Sequence, residues 1–261
     1  MRASRRWLLA GPPGVLAVLG ALALTGCGKH DLRSSVTVTQ PLRHTVIAQR
    51  RPTDARVALA RPLTPSVAAA FAKAVQLVPV DVAGSRPQSR GERSAREEQE
   101  AASCGSAETE LGDAHSPDLV RGPGLERESI SSSVVVLASE AMVRRELAYV
   151  NSHAGIACYG RILRHIIERE QSERVRLGAV RLARLQVFAP GAQVSTGISI
   201  VAQLSLSGSA LSVPLFIDEL SFGYGPAEIQ LYATSFVQPV PAKVDEQLLT
   251  LLWQRAQLHP L

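Results

Sequence analysis

The last third of the chain alternates apolar and polar residues, and this pattern predicts an antiparallel sheet. A period of two is typical of strands that bury one face. Four predicted strands share this region: 180–189, 197–208, 210–222 and 228–237. The turns around Gly208 and in 222–226 are short and glycine-rich, as hairpins require. A run of β-branched residues over 130–139 predicts one more strand.

Helical periodicity separates and follows these strands. Thr64 and Pro65 are a cap and a first-turn residue for a helix that ends near position 77. Ser139 can cap a second helix, a third is predicted from about Gly155, and a fourth covers 241–256. The combination predicts an α+β fold with an antiparallel meander sheet and helices packed mainly on one face.

The N-terminal segment has the three parts of an export signal. Basic "MRASRR" is followed by apolar "WLLAGPPGVLAVLGALAL" and by small residues before Cys27. The alternative is an uncleaved transmembrane anchor, because the apolar run has about 18 residues and roughly 20 span a bilayer. Adjacent Pro12 and Pro13 oppose a regular spanning helix.

The residues "LTGC" resemble the lipobox of bacterial lipoproteins. The resemblance implies cleavage between Gly26 and Cys27, a diacylglyceryl group on the Cys27 thiol, and a protein anchored to the membrane from its extracytoplasmic side. The segment "SRRWLL" resembles the twin-arginine export signal, and it serves equally well as an ordinary basic n-region.

These features divide the chain into three predicted regions. Residues 1–26 are the signal peptide, 27–63 are the lipidated N-terminus and a polar, proline-containing flexible tether, and 64–261 are a single α+β domain. Within that domain, the charged segment 85–100 is either an exposed loop or a loop followed by a solvated helix. The segment 105–128 is predicted to be loop with at most a short strand.

Lipidation of Cys27 leaves two cysteines, Cys104 and Cys158. In an oxidising compartment they are expected to pair, and closing a loop of about 54 residues is worth roughly 4 kcal/mol. A metal site is the competing use. The chain has no Cys-x-x-Cys and no histidine pair near either cysteine.

The chain also resembles a set of actinobacterial cell-envelope lipoproteins and extracytoplasmic sensor-type domains, some of them similar to the PsbP and Mog1 fold. The matching segments are "AVQLVPVDVAG", "CGS", "SPDLV", "SSSVVVLAS", "IACYGRIL", "PLFIDELSFGYGPAEIQLYATSF" and "LLTLLWQRA". The resemblance implies the α+β sheet and the bridge between Cys104 and Cys158, and no reaction. Ala83 stands where these proteins usually have a proline.

Candidate chemistry along the chain is sparse. No G-x-S-x-G motif occurs, and the serines of "SISSSV" are expected on the outward face of a strand. His165 and Glu168 lie three apart on a predicted helix, but a third metal ligand is not evident. Asp218 and Glu219 point to opposite faces of one strand, so they cannot form a carboxylate pair by themselves. We expect them only to mark the exposed side or edge of the sheet. We therefore expect no catalytic residue, no metal and no cofactor.

The net charge of the chain bears on which class of partner it could bind. The net charge is +5, and three basic residues fall within the predicted signal peptide, which leaves two more basic than acidic residues in the rest. With aromatic residues at 4%, a nucleic-acid surface is not expected. The sequence favours a non-catalytic binding or sensing module whose partners are the membrane, through its lipid, and an envelope protein. The alternatives are a carrier of an apolar envelope ligand and an envelope hydrolase, which would need a serine or histidine beside an acid.

Overall fold

The structure is a computed structural model that describes residues 63–89, 110–169, 175–187, 189, 191–206, 212–259 and 261, with the backbone alone for 163–169, 175 and 206. The predicted signal peptide and the tether up to residue 62 lie outside this range, and so do Gly26, Cys27 and Cys104. The predicted regions 1–26 and 27–63 and the Cys104–Cys158 pairing therefore stay predictions.

Four α-helices and eight β-strands make up the described part of the chain. The helices are α1 (Pro65–Val75), α2 (Glu140–Val150), α3 (His153–Arg169) and α4 (Ala242–Leu258). The strands are β1 (Arg86–Gln88), β2 (Glu110–His115), β3 (Asp118–Arg121), β4 (Glu128–Leu137), β5 (Val175–Leu185), β6 (Ser195–Leu206), β7 (Ser212–Tyr224) and β8 (Ala227–Phe236).

All of these strands join one antiparallel sheet. Its order is β1-β3-β4-β8-β7-β6-β5, and β2 pairs with β4 along the same edge as β3. Strands β5 to β8 form a meander, and a tight turn at Gly225 and Pro226 joins β7 to β8. Gly225 has a φ of 53°, a left-handed conformation that glycine adopts without strain. The predicted α+β fold with a meander sheet is confirmed.

The sheet buries apolar side chains on both of its faces. On one, the α1/α4 face, Phe71 of α1 and Leu252 of α4 pack in one cluster with alternate residues of β4 and β8 such as Val134 and Leu231. On the opposite side, the α2/α3 face, Tyr159 of α3 packs with alternate residues of β6 and β7. Also on this face, α2 packs through Val143 and Leu147 on Val135 of β4. The α1/α4 face is closed by aromatic contacts among Phe71, Phe222, Tyr224 and Trp253.

Two expectations are therefore corrected. The helices do not pack mainly on one face, because two cover each side, and all ten residues of β8 are buried as a result. The segment 105–128 was expected to be loop with at most a short strand, but it contains two strands, β2 and β3. Neither short strand shows a clear period of two, since both are partly buried on their two faces.

Close packing of α1 on the sheet depends on small residues. Thr64 caps α1 by accepting a hydrogen bond from the Val67 amide, and the buried positions include Ala68 and Ala72. Gly112 of β2 lies directly below, where an added Cβ would be 2.6 Å from the Ala69 nitrogen. Only glycine allows the helix and the strand to approach this closely.

An ion pair joins α4 to the turn that follows α1. Arg255 donates to both carboxylate oxygens of Asp81, at 2.8 and 2.7 Å, and to the carbonyl of Gln76 at 2.8 Å. Asp81 also accepts from the Val78 amide at 2.7 Å. These contacts join positions that are more than 170 residues apart in sequence.

Candidate functional site

Polar side chains are concentrated inside the protein on the α2/α3 face, and we call this group the polar band. Each of its members is at most 6% exposed. The polar band consists of Ser129, Ser131 and Ser133 from β4, Glu146 from α2, Tyr159 from α3, Glu219 and Ser221 from β7, and Glu228, Gln230, Tyr232 and Thr234 from β8.

Strand register places these residues side by side. Gln230 of β8 lies between Ser133 of β4 and Ser221 of β7, and Tyr232 lies between Ser131 and Glu219. Partners in register share a face, so Glu228, Gln230, Tyr232 and Thr234 of β8 form one polar row at the middle of the sheet.

Hydrogen bonds link the members of the polar band to one another. The Tyr159 hydroxyl donates to a carboxylate oxygen of Glu219 and so joins α3 to β7. Tyr232 donates to Gln230 Oε1 at 2.5 Å, and Gln230 Nε2 donates to Glu228 Oε1 at 2.7 Å. The second set is a chain along β8 that ends on a buried carboxyl group.

Glu228 lies directly beneath α2. Its register neighbours are Val135 on β4 and Gly223 on β7. The helix rests on both, because Val143 and Leu147 pack on Val135 and also approach the position that a Cβ of Gly223 would take, at 3.1 and 3.7 Å. The small Gly223 thus lets α2 sit close to the strand on which Glu228 lies.

Burial raises the pKa of Glu228 to about 8. The main cause is the loss of water around the carboxyl group, and the nearby carboxyl of Glu146 raises it further. The hydrogen bond from Gln230 acts in the opposite direction. Glu228 therefore holds its proton at neutral pH, unlike an exposed glutamate.

Three hydroxyls of the polar band have further bonding capacity. In the described part of the chain, the hydroxyl oxygens of Ser129, Ser133 and Thr234 are buried without a hydrogen-bond partner. Ser129 and Thr234 are paired in register, so their hydroxyls lie on neighbouring strands. Buried hydroxyls without partners are uncommon in folded proteins and cost free energy.

The same face brings a serine, a histidine and an aspartate together. Asp113 and His115 of β2 lie 3.3 Å apart, and Ser133 is the register partner of His115. These are the residue types of a hydrolase triad. Ser133, however, is fully buried, and its hydroxyl makes no hydrogen bond to the imidazole. A substrate carbonyl cannot reach Ser133 in this conformation, so its hydroxyl is not placed to act as a nucleophile.

Two further expectations from the sequence are corrected by burial. Asp218 and Glu219 do point to opposite faces, but Glu219 is only 5% exposed and bonds to Tyr159, so it does not mark an exposed side. The serines of "SISSSV" were expected on an outward face, yet Ser131, Ser132 and Ser133 are each at most 1% exposed.

The other predicted sites are only partly described. Cys158 is 7% exposed and packs in the α3 cluster, but Cys104, its expected partner, lies outside the described residues. The side chains of His165 and Glu168 lie outside them as well. Within the described ranges, no three His, Cys, Asp or Glu side chains are grouped to hold a metal ion. No described helix has the length and apolar character needed to cross a membrane.

Sequence reasoning missed the polar band because alternation shows only which residues share a face. Glu228, Gln230 and Thr234 alternate with apolar residues, which is typical of a solvent-facing row. The one usable signal was Glu146, which lies among the inward positions Val143, Leu147 and Val150 of α2. A carboxylate on the buried stripe of a helix indicates polar groups beneath it.

Comparisons with known proteins identify no family. No protein-family model matches the chain, and no curated protein matches it. Among solved structures, the extracellular domain of PknH from Mycobacterium tuberculosis is similar with a TM-score of 0.28 and 8% sequence identity. The match covers 54% of this chain and 63% of that one, so the chain spans less than two thirds of that domain's length.

Proposed function

We propose that this protein is a lipid-anchored binding or sensing module on the extracytoplasmic side of the cell membrane, with no catalytic activity. The observation that carries the proposal is the N-terminal segment, in which basic residues, an apolar run and "LTGC" occur in order. A diacylglyceryl group on Cys27 would hold the folded domain at the membrane surface, with residues 28–63 as the tether.

The polar band supports a role without catalysis. Its carboxyl, amide and phenol groups bond to one another inside the fold, and each is at most 6% exposed. Catalytic groups must contact a substrate, whereas buried polar groups bonded in this way favour a defined core packing. An envelope protein is the partner we propose for the outer surface.

Membrane fractionation tests the anchor. Full-length protein is expected in the membrane fraction, and its N-terminal peptide is expected to begin at a lipid-modified Cys27. Cys27→Ser removes the thiol that accepts the lipid, so it should move to the soluble fraction of the envelope or remain as an unprocessed precursor. Ser35→Ala in the tether is the matched control and should behave like wild type. Lipid-free wild-type protein would contradict the proposal.

The absence of catalysis is tested separately. Full-length protein should not hydrolyse activated acyl esters faster than Ser133→Ala. Hydrolysis that disappears in Ser133→Ala would replace the proposal with a hydrolase. Native mass spectrometry of protein purified from its own membrane tests the role: a co-purifying protein supports a binding module, whereas a bound apolar small molecule would favour a carrier.

A further inference from the structure

Two buried carboxyl groups lie near each other where α2 packs on the sheet. Glu146 is on the buried side of α2 and is 6% exposed, and Glu228 on β8 is 4% exposed. Glu228 lies between Val135 and Gly223, the two positions on which α2 rests. The contact between this helix and the sheet therefore contains both acids.

The described surroundings of the pair are polar and contain further carboxyl and phenol groups. Among the residues that the structure describes, the titratable groups on this face include Glu219 on β7, Tyr232 on β8, Tyr159 on α3, and Asp113 and His115 on β2. On α2 itself, the side chains of Arg144 and Arg145 are exposed. Two ionised carboxylates in such a position repel each other and lose hydration, so one of them retains a proton.

We propose that Glu146 and Glu228 form a pH-sensitive lock, which holds α2 on the sheet while one carboxyl group is protonated and loosens the helix when both are ionised. The C-terminal end of α2 stays attached, because Asn151 accepts a hydrogen bond from Thr196 at 2.6 Å and donates to the Ser195 carbonyl at 3.5 Å. Opening therefore begins in the first turns of the helix. The lock is a property of the domain and does not depend on the lipid anchor.

The direction of the pH effect on the lock follows from the difference in proton binding between its closed and open forms. Burial raises the pKa of Glu228 from 4.5 to about 8, so the closed form binds the proton more tightly than the open, hydrated form. The lock is therefore fully effective below pH 4.5 and weakens as the pH rises. Between pH 4.5 and about 8 the open population grows at most about tenfold per pH unit, and above that range it stays constant.

Hydrogen exchange on full-length protein in mild detergent tests the lock. Exchange is followed by mass spectrometry between pH 6 and 9, and each rate is divided by the intrinsic chemical rate at that pH. The protection of the backbone amides of residues 140–150 against exchange should fall by up to tenfold per pH unit until about pH 8. Above that pH it should stay constant. Protection of α1, on the opposite face, should not change.

Three variants separate the lock from a general loss of stability. Glu228→Gln keeps the side-chain size and removes the charge, so the pH dependence in α2 should disappear. Glu146→Gln removes one cause of the raised pKa, so the fall should end at a lower pH. Glu140→Gln is the matched control, because Glu140 is on the exposed side of the same helix and pairs with Arg144. It should keep the wild-type profile.

Two results of the hydrogen-exchange experiment would overturn the lock. One is a wild-type profile in which α2 protection does not depend on pH, and the other is an unchanged slope in Glu228→Gln. If that variant does not fold, infrared spectroscopy of the wild type gives the answer. The absorption of a protonated carboxyl group should be present at pH 6 and lost by pH 9, and its absence at pH 6 would refute the proposal.

Discussion

Replacing Arg255 by alanine should destabilise the domain more than replacing any exposed arginine. The Arg255 side chain is 21% exposed and makes a two-pronged contact with Asp81, whose side chain is 6% exposed. It also donates to the Gln76 carbonyl at the end of α1. Arg255→Ala leaves the carboxylate of Asp81 buried, with the Val78 amide as its remaining donor among these contacts.

The size of the stability loss in Arg255→Ala follows from how deeply the Arg255 and Asp81 side chains are buried. Removing one partner of a fully buried ion pair costs about 3–5 kcal/mol, because the other charge is left in a poor solvent. Arg255 keeps some contact with water, so solvent screens part of this loss and we expect about 2–3 kcal/mol. Arg255→Lys keeps the charge but cannot bond to both oxygens at once, so its loss should be intermediate.

Thermal and urea denaturation followed by circular dichroism measure this loss. For a domain of this size, about 2–3 kcal/mol corresponds to a Tm lower by roughly 5–10 °C. Arg144→Ala is the matched control, because Arg144 pairs with Glu140 on the surface and its side chain is 56% exposed. Such a pair contributes about 0.5 kcal/mol or less. Equal losses for Arg255→Ala and Arg144→Ala would refute the reasoning, as would a double variant with Asp81→Asn that shows simple additivity.

Three further predictions concern the backbone geometry at two positions and one covalent link. Gly112→Ala should lower the free energy of unfolding by about 1–3 kcal/mol, because the added Cβ would lie 2.6 Å from the backbone of α1. Gly160→Ala in α3 is the control. The atom nearest to its added Cβ would be 3.4 Å away, so this variant should be neutral or stabilising in the same assay. Val237 has a φ of 66°, which is strained for a β-branched residue, so Val237→Asn should raise the urea midpoint, and a lower midpoint would argue against strain at this position. Non-reducing peptide mapping should find a peptide that links Cys104 to Cys158, and free thiols at both positions would contradict the predicted bridge.

The elements of the fold were accessible from the sequence because their signals are local. The cap at Thr64, the period of two in β6 and β7, and the glycine-rich turn before β8 each depend on a few neighbouring residues. The sequence allowed at most one short strand in the segment that contains β2 and β3, because such strands are stabilised by pairing with β4 more than by their own pattern.

The polar band could not be predicted from local sequence patterns in the same way. The sequence "EIQLYATSF" assigns Glu228 and Gln230 to one face, but it does not contain the information that α2 and α3 cover that face. The side of the sheet on which each helix packs depends on contacts between residues that are distant in the chain. The alternation predicts which side chains lie together, and tertiary packing decides whether water reaches them.

Short, contiguous segments of the sequence were enough to predict the α+β class and the meander of the last strands, which the structure confirms. Such segments also predict export and the lipidation of Cys27, and these two stay predictions. Tertiary packing places helices on both faces of the sheet, brings Arg255 to Asp81, and buries Glu146 near Glu228. Burial explains this difference. It sets the hydration and therefore the pKa of a carboxyl group, and it arises from the packing of elements that the local pattern does not specify.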